Sequence, residues 1–232
     1  MILHTAETLK RYTESGHLGR RTLLDLLRET AAKAPERPAV VDPADRPDLT
    51  GTAAQNLSYR EFAAAVDAIA TELMDMGLRK DEIVVVQLPN IWELVAMFLA
   101  VSRAGGVLSP MPIQWRDNEF QNVKKLTEAR FFFFFGMRDF KGADQLAIAE
   151  KTGFVALPIE RIAEMARGAA DVARLDAIGV DARAARRGPG AGDRAGGQHD
   201  RCGHLAGFAG HRGHDALASP AEHAAASQAV DA

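Results

Sequence analysis

The sequence predicts an α/β fold: a doubly wound, mainly parallel sheet with flanking helices, followed by a disordered, low-complexity C-terminal tail. Three observations lead there. Ile83-Val-Val-Val-Gln-Leu88 is a nearly continuous apolar run, mostly β-branched, as a strand buried on both faces requires. Amphipathic helical stretches flank it, opened by capping residues and stopped by glycine. Strands and helices alternate at roughly 25-residue spacing, the pattern of parallel strands joined by crossover helices.

Each element follows from local chemistry. Thr22, with Asp25 three positions on, caps a helix whose apolar face is Leu23, Leu24, Leu26, Leu27 and Ala31 and which stops before Pro35. Ala39-Val-Val-Asp42 reads as a short strand. Residues 42–52, rich in Pro, Asp and Gly, read as a loop, and Asn56-Leu-Ser-Tyr59 as the returning strand. Ser58-Tyr-Arg-Glu61 is a capping box that opens a helix with Phe62, Val66, Ile69, Leu73 and Met76 on one face, ended by Gly77. After the Ile83 strand, Asn90 with Glu93 reads as the cap of a helix from Ile91 to Ala104, closed by Gly105-Gly106. Val107-Leu-Ser109, Phe131–Phe135 and Phe154–Leu157 read as strands. Asp117 to Ala129 reads as a helix with Phe120, Val123 and Leu126 inward, and Pro158 to Arg167 as a last short helix. In such sheets ligands sit beyond the carboxyl ends of the strands, here Pro89-Asn90, Ser109–Pro112 and Gly136.

Composition excludes several classes. With 28 Lys and Arg against 31 Asp and Glu, the net charge of −3 offers no basic surface for nucleic acid. A single cysteine, Cys202, excludes a disulfide framework and points to a reducing, cytoplasmic compartment. No basic-then-apolar leader and no stretch of about 20 apolar residues is present, so neither a signal peptide nor a membrane span is expected.

The average hides two parts, residues 1–180 and 181–232. The last 52 residues hold 15 Ala, 9 Gly and 5 of the 7 His, but only four large apolar residues: Leu205, Phe208, Leu217 and Val230. Four anchors cannot offset an ordering cost of about 1–2 kcal/mol per residue. His199, His204, His211, His214 and His223 surround Cys202 without the tight pairs a structural zinc site needs.

Chemistry-bearing motifs are absent. There is no G-x-G-x-x-G after a strand, no G-x-x-x-x-G-K-[ST] and no G-x-S-x-G elbow. His4 and His17 lie in a polar N-terminal lead and read as surface residues. Asn90 could touch a ligand but has its capping duty. Trp92 reads as a packed helix residue and Trp115 as a partly exposed loop aromatic able to stack on a ligand. Gly105-Gly106 could let a ligand approach the backbone, although a helix stop accounts for both, and Arg79-Lys-Asp-Glu82 reads as a solvated turn.

Residues 57–112 resemble the adenylate-forming acyl-CoA synthetases (AMP-dependent synthetases and ligases). The resemblance rests on Leu57-Ser-Tyr-Arg-Glu-Phe62, Leu73, Gly77-Leu78, Val84-Val-Val-Gln-Leu-Pro-Asn90, Glu93, Phe98-Leu-Ala100, Arg103-Ala-Gly105 and Pro110-Met-Pro112. Thr22–Asp42 also fits that family's opening helix and strand, and the match fades after Ala129. It implies the first part of an enzyme that activates a carboxylic acid with ATP and magnesium to an acyl-adenylate, then passes the acyl group to coenzyme A. It implies a place in fatty acid metabolism as well. The family's Ser/Thr/Gly-rich phosphate loop ending in Pro-Lys-Gly, its adenine-site motif, its ribose-binding aspartate and its C-terminal lysine have no counterpart in residues 1–232. No catalytic, cofactor-binding or metal-binding residue is therefore carried over.

Two expectations follow. The chain is a truncated synthetase, inactive alone, or a non-catalytic relic or interaction module. The tail also admits a shifted reading frame: Gly210-His-Arg-Gly-His-Asp215, moved on by one nucleotide, can read Gly-Thr-(Glu/Ala/Gly)-Gly-Thr-Thr, similar to the start of the missing loop. Without the rest of a domain, residues 83–88 and 131–135 are expected to be exposed apolar strands prone to aggregate.

Overall fold

The computed structural model describes residues 5–18, 21–127 and 131–185. These lie within one compact unit, Met1–Gly190. The elements in chain order are α1 (Ala6–Glu14), α2 (Leu23–Lys33), β1 (Pro38–Val41), α3 (Arg46–Thr50), β2 (Asn56–Ser58), α4 (Tyr59–Asp75), β3 (Ile83–Val86), α5 (Trp92–Arg103), β4 (Val107–Pro110), α6 (Asp117–Thr127), β5 (Phe131–Gly136), α7 (Gln145–Lys151), β6 (Val155–Pro158), α8 (Ile159–Met165) and α9 (Val172–Ala185). His4, Cys202 and the tail histidines fall outside the described residues.

The expected doubly wound layer is present. β4, β3, β5 and β6 lie in that order, every neighbouring pair parallel. Alternation along the strands sends side chains to two cores. Val84, Val86, Phe133 and Phe135 face α4, α5 and α8, meeting Phe62, Val66, Ile69, Met97, Val101 and Ile162. Val85 and Phe134 face α6 and α7, meeting Phe120, Leu146, Ala149 and Phe154. There Phe134 lies 5.2 Å from Phe120 and 6.1 Å from Phe154 between ring centroids, tilted against both, and Phe120 meets Phe154 edge-on, as aromatic quadrupoles prefer. β1 and β2 form a separate antiparallel pair.

Both capping boxes form. Ser58 Oγ accepts the Glu61 N–H and the Glu61 carboxylate accepts the Ser58 N–H, and Thr22 and Asp25 do the same. On α2 only Leu27 is buried; Leu23 and Leu26 are exposed, because that helix lies outside α4 rather than against the sheet.

The sequence reading departs from the structure in several places. Residues 83–88, and Phe133–Phe135 of the second run, are not exposed strands. β3 and β5 are the inner strands, Val84, Val85 and Val86 are completely buried, and β4 and β6 take the two edges. The 42–52 segment holds helix α3, whose Pro47 sits in the first turn where its missing N–H costs nothing. α1 replaces a featureless lead, its start capped by Thr5, and α7 starts from an Asp144 cap. α9 runs past Val180 to Ala185. Glu82 of the charged turn is buried, its Oε2 accepting the Arg79 N–H at 2.8 Å. Gly105 stops α5 with φ 85°, whereas Gly106 serves packing: a Cβ there would stand 3.0 Å from Val101 Cγ1 and 3.1 Å from the Glu82 carbonyl oxygen.

Phe134→Ala empties the centre of the second core. It is expected to lower unfolding free energy by about 3–5 kcal/mol, read as a lower urea midpoint, and a loss under about 1 kcal/mol would contradict this packing.

Candidate functional site

The sheet changes winding direction at its middle. From β3 the chain crosses to β4 on one side, then returns past β3 to β5 and on to β6. Such a switch point opens a crevice beyond the carboxyl ends of the strands. A cavity of about 520 Å³ lies there. Leu88 and Asn90 come from the end of β3, Met111 and Ile113 from the end of β4, and Phe140 from the loop after β5. Leu49 of α3 and Leu94 of α5 complete the walls.

The wall made by α3 and α5 is fixed by a buried ion network. Arg46 is 4% exposed. Its Nη1 donates to Asp42 Oδ2 at 2.6 Å and to Glu93 Oε2 at 2.8 Å, and its Nη2 to Glu93 Oε1 at 2.6 Å. Nε and Nη2 both donate to Thr52 Oγ1. All five guanidinium N–H groups are thereby used. Burial works against the charged guanidinium, but the hydrogen bonds and charges of Glu93 and Asp42 outweigh it and raise the Arg46 pKa above its ordinary value. Two carboxylates face one cation, and the N-terminus of α5 supplies further positive potential. Asp42 Oδ1 accepts the Trp92 N–H at 2.8 Å and Asp42 Oδ2 the Gln55 N–H at 2.9 Å.

This corrects the expected cap. The residue flanking α5 is Ile91, with no side-chain cap of its own, and Asn90 does not cap the helix. Asp42, fifty positions earlier, does so, and Glu93 is committed to Arg46. Asn90 stands exposed at the cavity, the polar side chain among its lining residues.

The opposite wall is held by two fully buried glutamines. Gln87 Nε2 donates to the carbonyls of Pro112 and Trp115, at 2.8 and 3.0 Å. Gln145 Oε1 accepts the Met137 N–H at 2.9 Å and its Nε2 reaches the Ile113 carbonyl at 3.4 Å. Gln87 Oε1 is buried without a partner, a desolvation cost of aiming the amide donors at both carbonyls. Arg116 Nη1 also donates to the Ile113 and Trp115 carbonyls. Backbone N–H groups of Arg116 and of Glu119 itself hold the Glu119 carboxyl below its usual range, so it is charged near neutrality and keeps the turn into α6 closed.

Of the other sequence candidates, Trp92 is buried in the first core and Trp115 is 36% exposed on the pinned loop. His17 lies on the surface against Tyr12, away from the sheet. Among the described residues no group of three or more His, Cys, Asp or Glu is placed to hold a metal ion, and no helix is long and apolar enough to cross a membrane. The cavity residues do not fit a nucleotide triphosphate: apolar side chains and prolines line it, and no Lys or Arg is among them.

The AMP-binding enzyme family matches residues 27–185. The chain belongs to that family. A 2-hydroxy-7-methoxy-5-methyl-1-naphthoate–CoA ligase from Streptomyces carzinostaticus is 37% identical over 120 residues, 52% of this chain and 19% of that protein. A salicylyl-CoA synthase/salicylate adenylyltransferase from a Streptomyces species is 37% identical over 99 residues, 43% of this chain and 16% of the relative. The matched segments therefore span about a fifth of those relatives' length or less. The N-terminal domain of FACL13 from Mycobacterium tuberculosis shares the fold, with a TM-score of 0.52 at 18% identity over 65% of this chain and 37% of that one. On this member of the AMP-binding family, the resembling stretches lie on β2 with α4, on β3, on α5 and at the end of β4. The last three meet at the cavity.

Sequence reading located the cavity's rim but missed Asp42, Arg46, Gln87 and Gln145. Arg46 sat in a segment taken for a loop. For Gln87 a signal was available: a polar residue inside an otherwise apolar buried strand needs partners.

Arg46→Met strands two buried carboxylates and is expected to destabilise by about 3–5 kcal/mol, measured by urea unfolding. Arg46→Lys keeps the charge without the fork and should fall between. A wild-type-like Arg46→Met would rule out the network as what holds α3 to α5.

Proposed function

We propose that residues 1–232 carry the opening α/β layer of an adenylate-forming enzyme that acts on a carboxylic acid. In the reaction the family implies, the acid and ATP give an acyl-adenylate and pyrophosphate, and coenzyme A then takes the acyl group as a thioester. The observation that supports this reading is the family match over residues 27–185, within which the resembling stretches on β3, on α5 and at the end of β4 meet at the cavity.

In this reading the layer is scaffold and the chemistry lies elsewhere. The cavity offers apolar walls and one carboxamide, with no cation to hold phosphate charge. We further propose that residues 1–180 are the enzyme-like part, with the family match running five residues further to 185, and that the low-complexity residues after it are read in a shifted frame, since the composition changes abruptly there. The second reading is a non-catalytic module that keeps only the α/β layer, favoured by the same lack of a phosphate-holding group.

Purified 1–232 is expected to show no acid-dependent ATP–pyrophosphate exchange, with short, medium-chain and aryl acids, above a heat-killed control. Exchange above that control overturns the scaffold assignment. The gene separates the two readings: the shifted frame beyond codon 180 should encode a Ser/Thr/Gly-rich loop ending in Pro-Lys-Gly, and a frame without it favours the module.

A further inference from the structure

The helices of this layer are held in two different ways. α4 and α5 each bury a broad apolar face against β3 and β5. α9 does not. Among its described side chains, residues 172–178, Leu175 alone is buried; Val172 is exposed and Ile178 half-buried. Ile178 lies over Gly105, where a Cβ would stand 3.1 Å from its Cγ2, and the other attachments of the described α9 side chains are polar. Asp176 Oδ1 accepts from Arg103 Nη2 of α5 at 2.6 Å and from Arg28 Nη2 of α2 at 3.0 Å. Arg174 of α9 pairs with Asp75 of α4. The Asp171 N–H, just before the helix, donates to Thr71 Oγ1 of α4 at 3.0 Å.

Asp176 is the centre of this arrangement. Arg103 also donates from Nε to Asp67 of α4 at 2.9 Å, and Arg28 lies 4.0 Å from that same carboxylate. Two arginines and two aspartates thus alternate across α2, α4, α5 and α9. Hydrogen bonds from Arg103 and Arg28 hold the Asp176 carboxyl below its usual range. The arrangement is one-sided. Arg103 is 5% exposed at its side chain, but Asp176 is 53% and Arg28 39% exposed. The Arg174–Asp75 pair is half-exposed as well. Bonds of this kind are open to screening by salt, unlike an apolar face.

Among the described side chains of α9, Leu175 joins the first core, and the main neighbours of this helix are α4 and α5. If it leaves, Arg103 keeps Asp67 as a partner.

We propose that α9 is an ion-pair-latched strap, which releases from α2, α4 and α5 while the sheet stays folded, with Asp176 as the latch. The family match ends with this helix, at residue 185. The inference rests on packing and charge within the layer and holds whether or not the catalytic reading does.

Hydrogen exchange on the full 232-residue chain tests it. Asp176→Ala puts a better helix former into α9, so faster exchange in that variant reports undocking and not a weaker helix. Exchange of the α9 amides is expected to rise about tenfold or more, as loss of a charge-assisted hydrogen bond warrants, while the amides of β3 and β5 stay as in the wild type. Raising salt from about 0.05 M to about 0.5 M should move the wild type the same way, because the exposed pairs are screened. The salt series stands alone should Asp176→Ala fold poorly. The proposal is overturned by α9 exchange that ignores both changes, or that rises only in step with β3 and β5. Wild-type α9 amides that exchange at the unprotected rate at low salt overturn it equally.

Discussion

The cavity exists because a guanidinium was buried and then fully satisfied. Arg46 joins a hairpin, a one-turn helix and the start of α5 through two carboxylates and a hydroxyl. Removing a charge from water costs several kcal/mol unless every donor finds a partner, and here all five N–H groups do. The same Asp42 that pairs with Arg46 caps α5. One side chain thus couples the entry angle of α5 to the position of α3, and Leu94 and Leu49 inherit their places in the cavity wall. A pairing of such high stakes tolerates one geometry, so the wall it builds is set before any ligand arrives.

Under that wall lies a plainer constraint. β3 is buried on both faces and along both edges, which leaves its residues no role but packing until the chain passes Val86. Gln87 is the first polar side chain beyond that point, and it turns its donors onto the loop after β4. Two halves of the cavity are therefore organised from adjacent positions. Val86 contributes to the apolar floor, and Gln87, pointing the other way as strand alternation demands, ties down the far loop.

Local elements were legible in the sequence because their signals are local. A capping box spans four residues, the helical stripe of Phe62 to Met76 fifteen and the β3 run six, and α4 and β3 came out almost to the residue. Strand ends were legible for the same reason, so the rim at Pro89-Asn90 and Pro110–Pro112 was in view. What failed was whatever depended on distance along the chain. Asn90 looked like a cap because it stands where caps stand; nothing in its neighbourhood reveals that Asp42 takes that duty across fifty positions. α3 was lost because Pro, Asp and Gly mark loops, although proline is equally at home in a first helical turn. The exposure of Ile83–Leu88 and Phe133–Phe135 was misjudged since the cover of a strand depends on which helices fold back over its faces, and α4, α5, α6 and α7 supply that cover without a further domain.

The same contrast between local and distant forces separates the helices of the layer. α4 and α5 are fixed by faces that any period-3.6 pattern reveals, and their burial weakens little with salt. α9 shows no such stripe, and its partners sit on three other helices, at Arg28, Asp75 and Arg103. Charges are a poor way to make a helix permanent, because half-exposed pairs contribute little each and are screened. They are a good way to make its position conditional, because alternating signs fix one docked geometry and disfavour sliding. A sheet secured by apolar burial and a helix, α9, secured by Leu175 and mostly by charge therefore belong to different levels of stability in one small unit. The apolar level holds the cavity, and the charged level governs whether α9 stays docked on α2, α4 and α5.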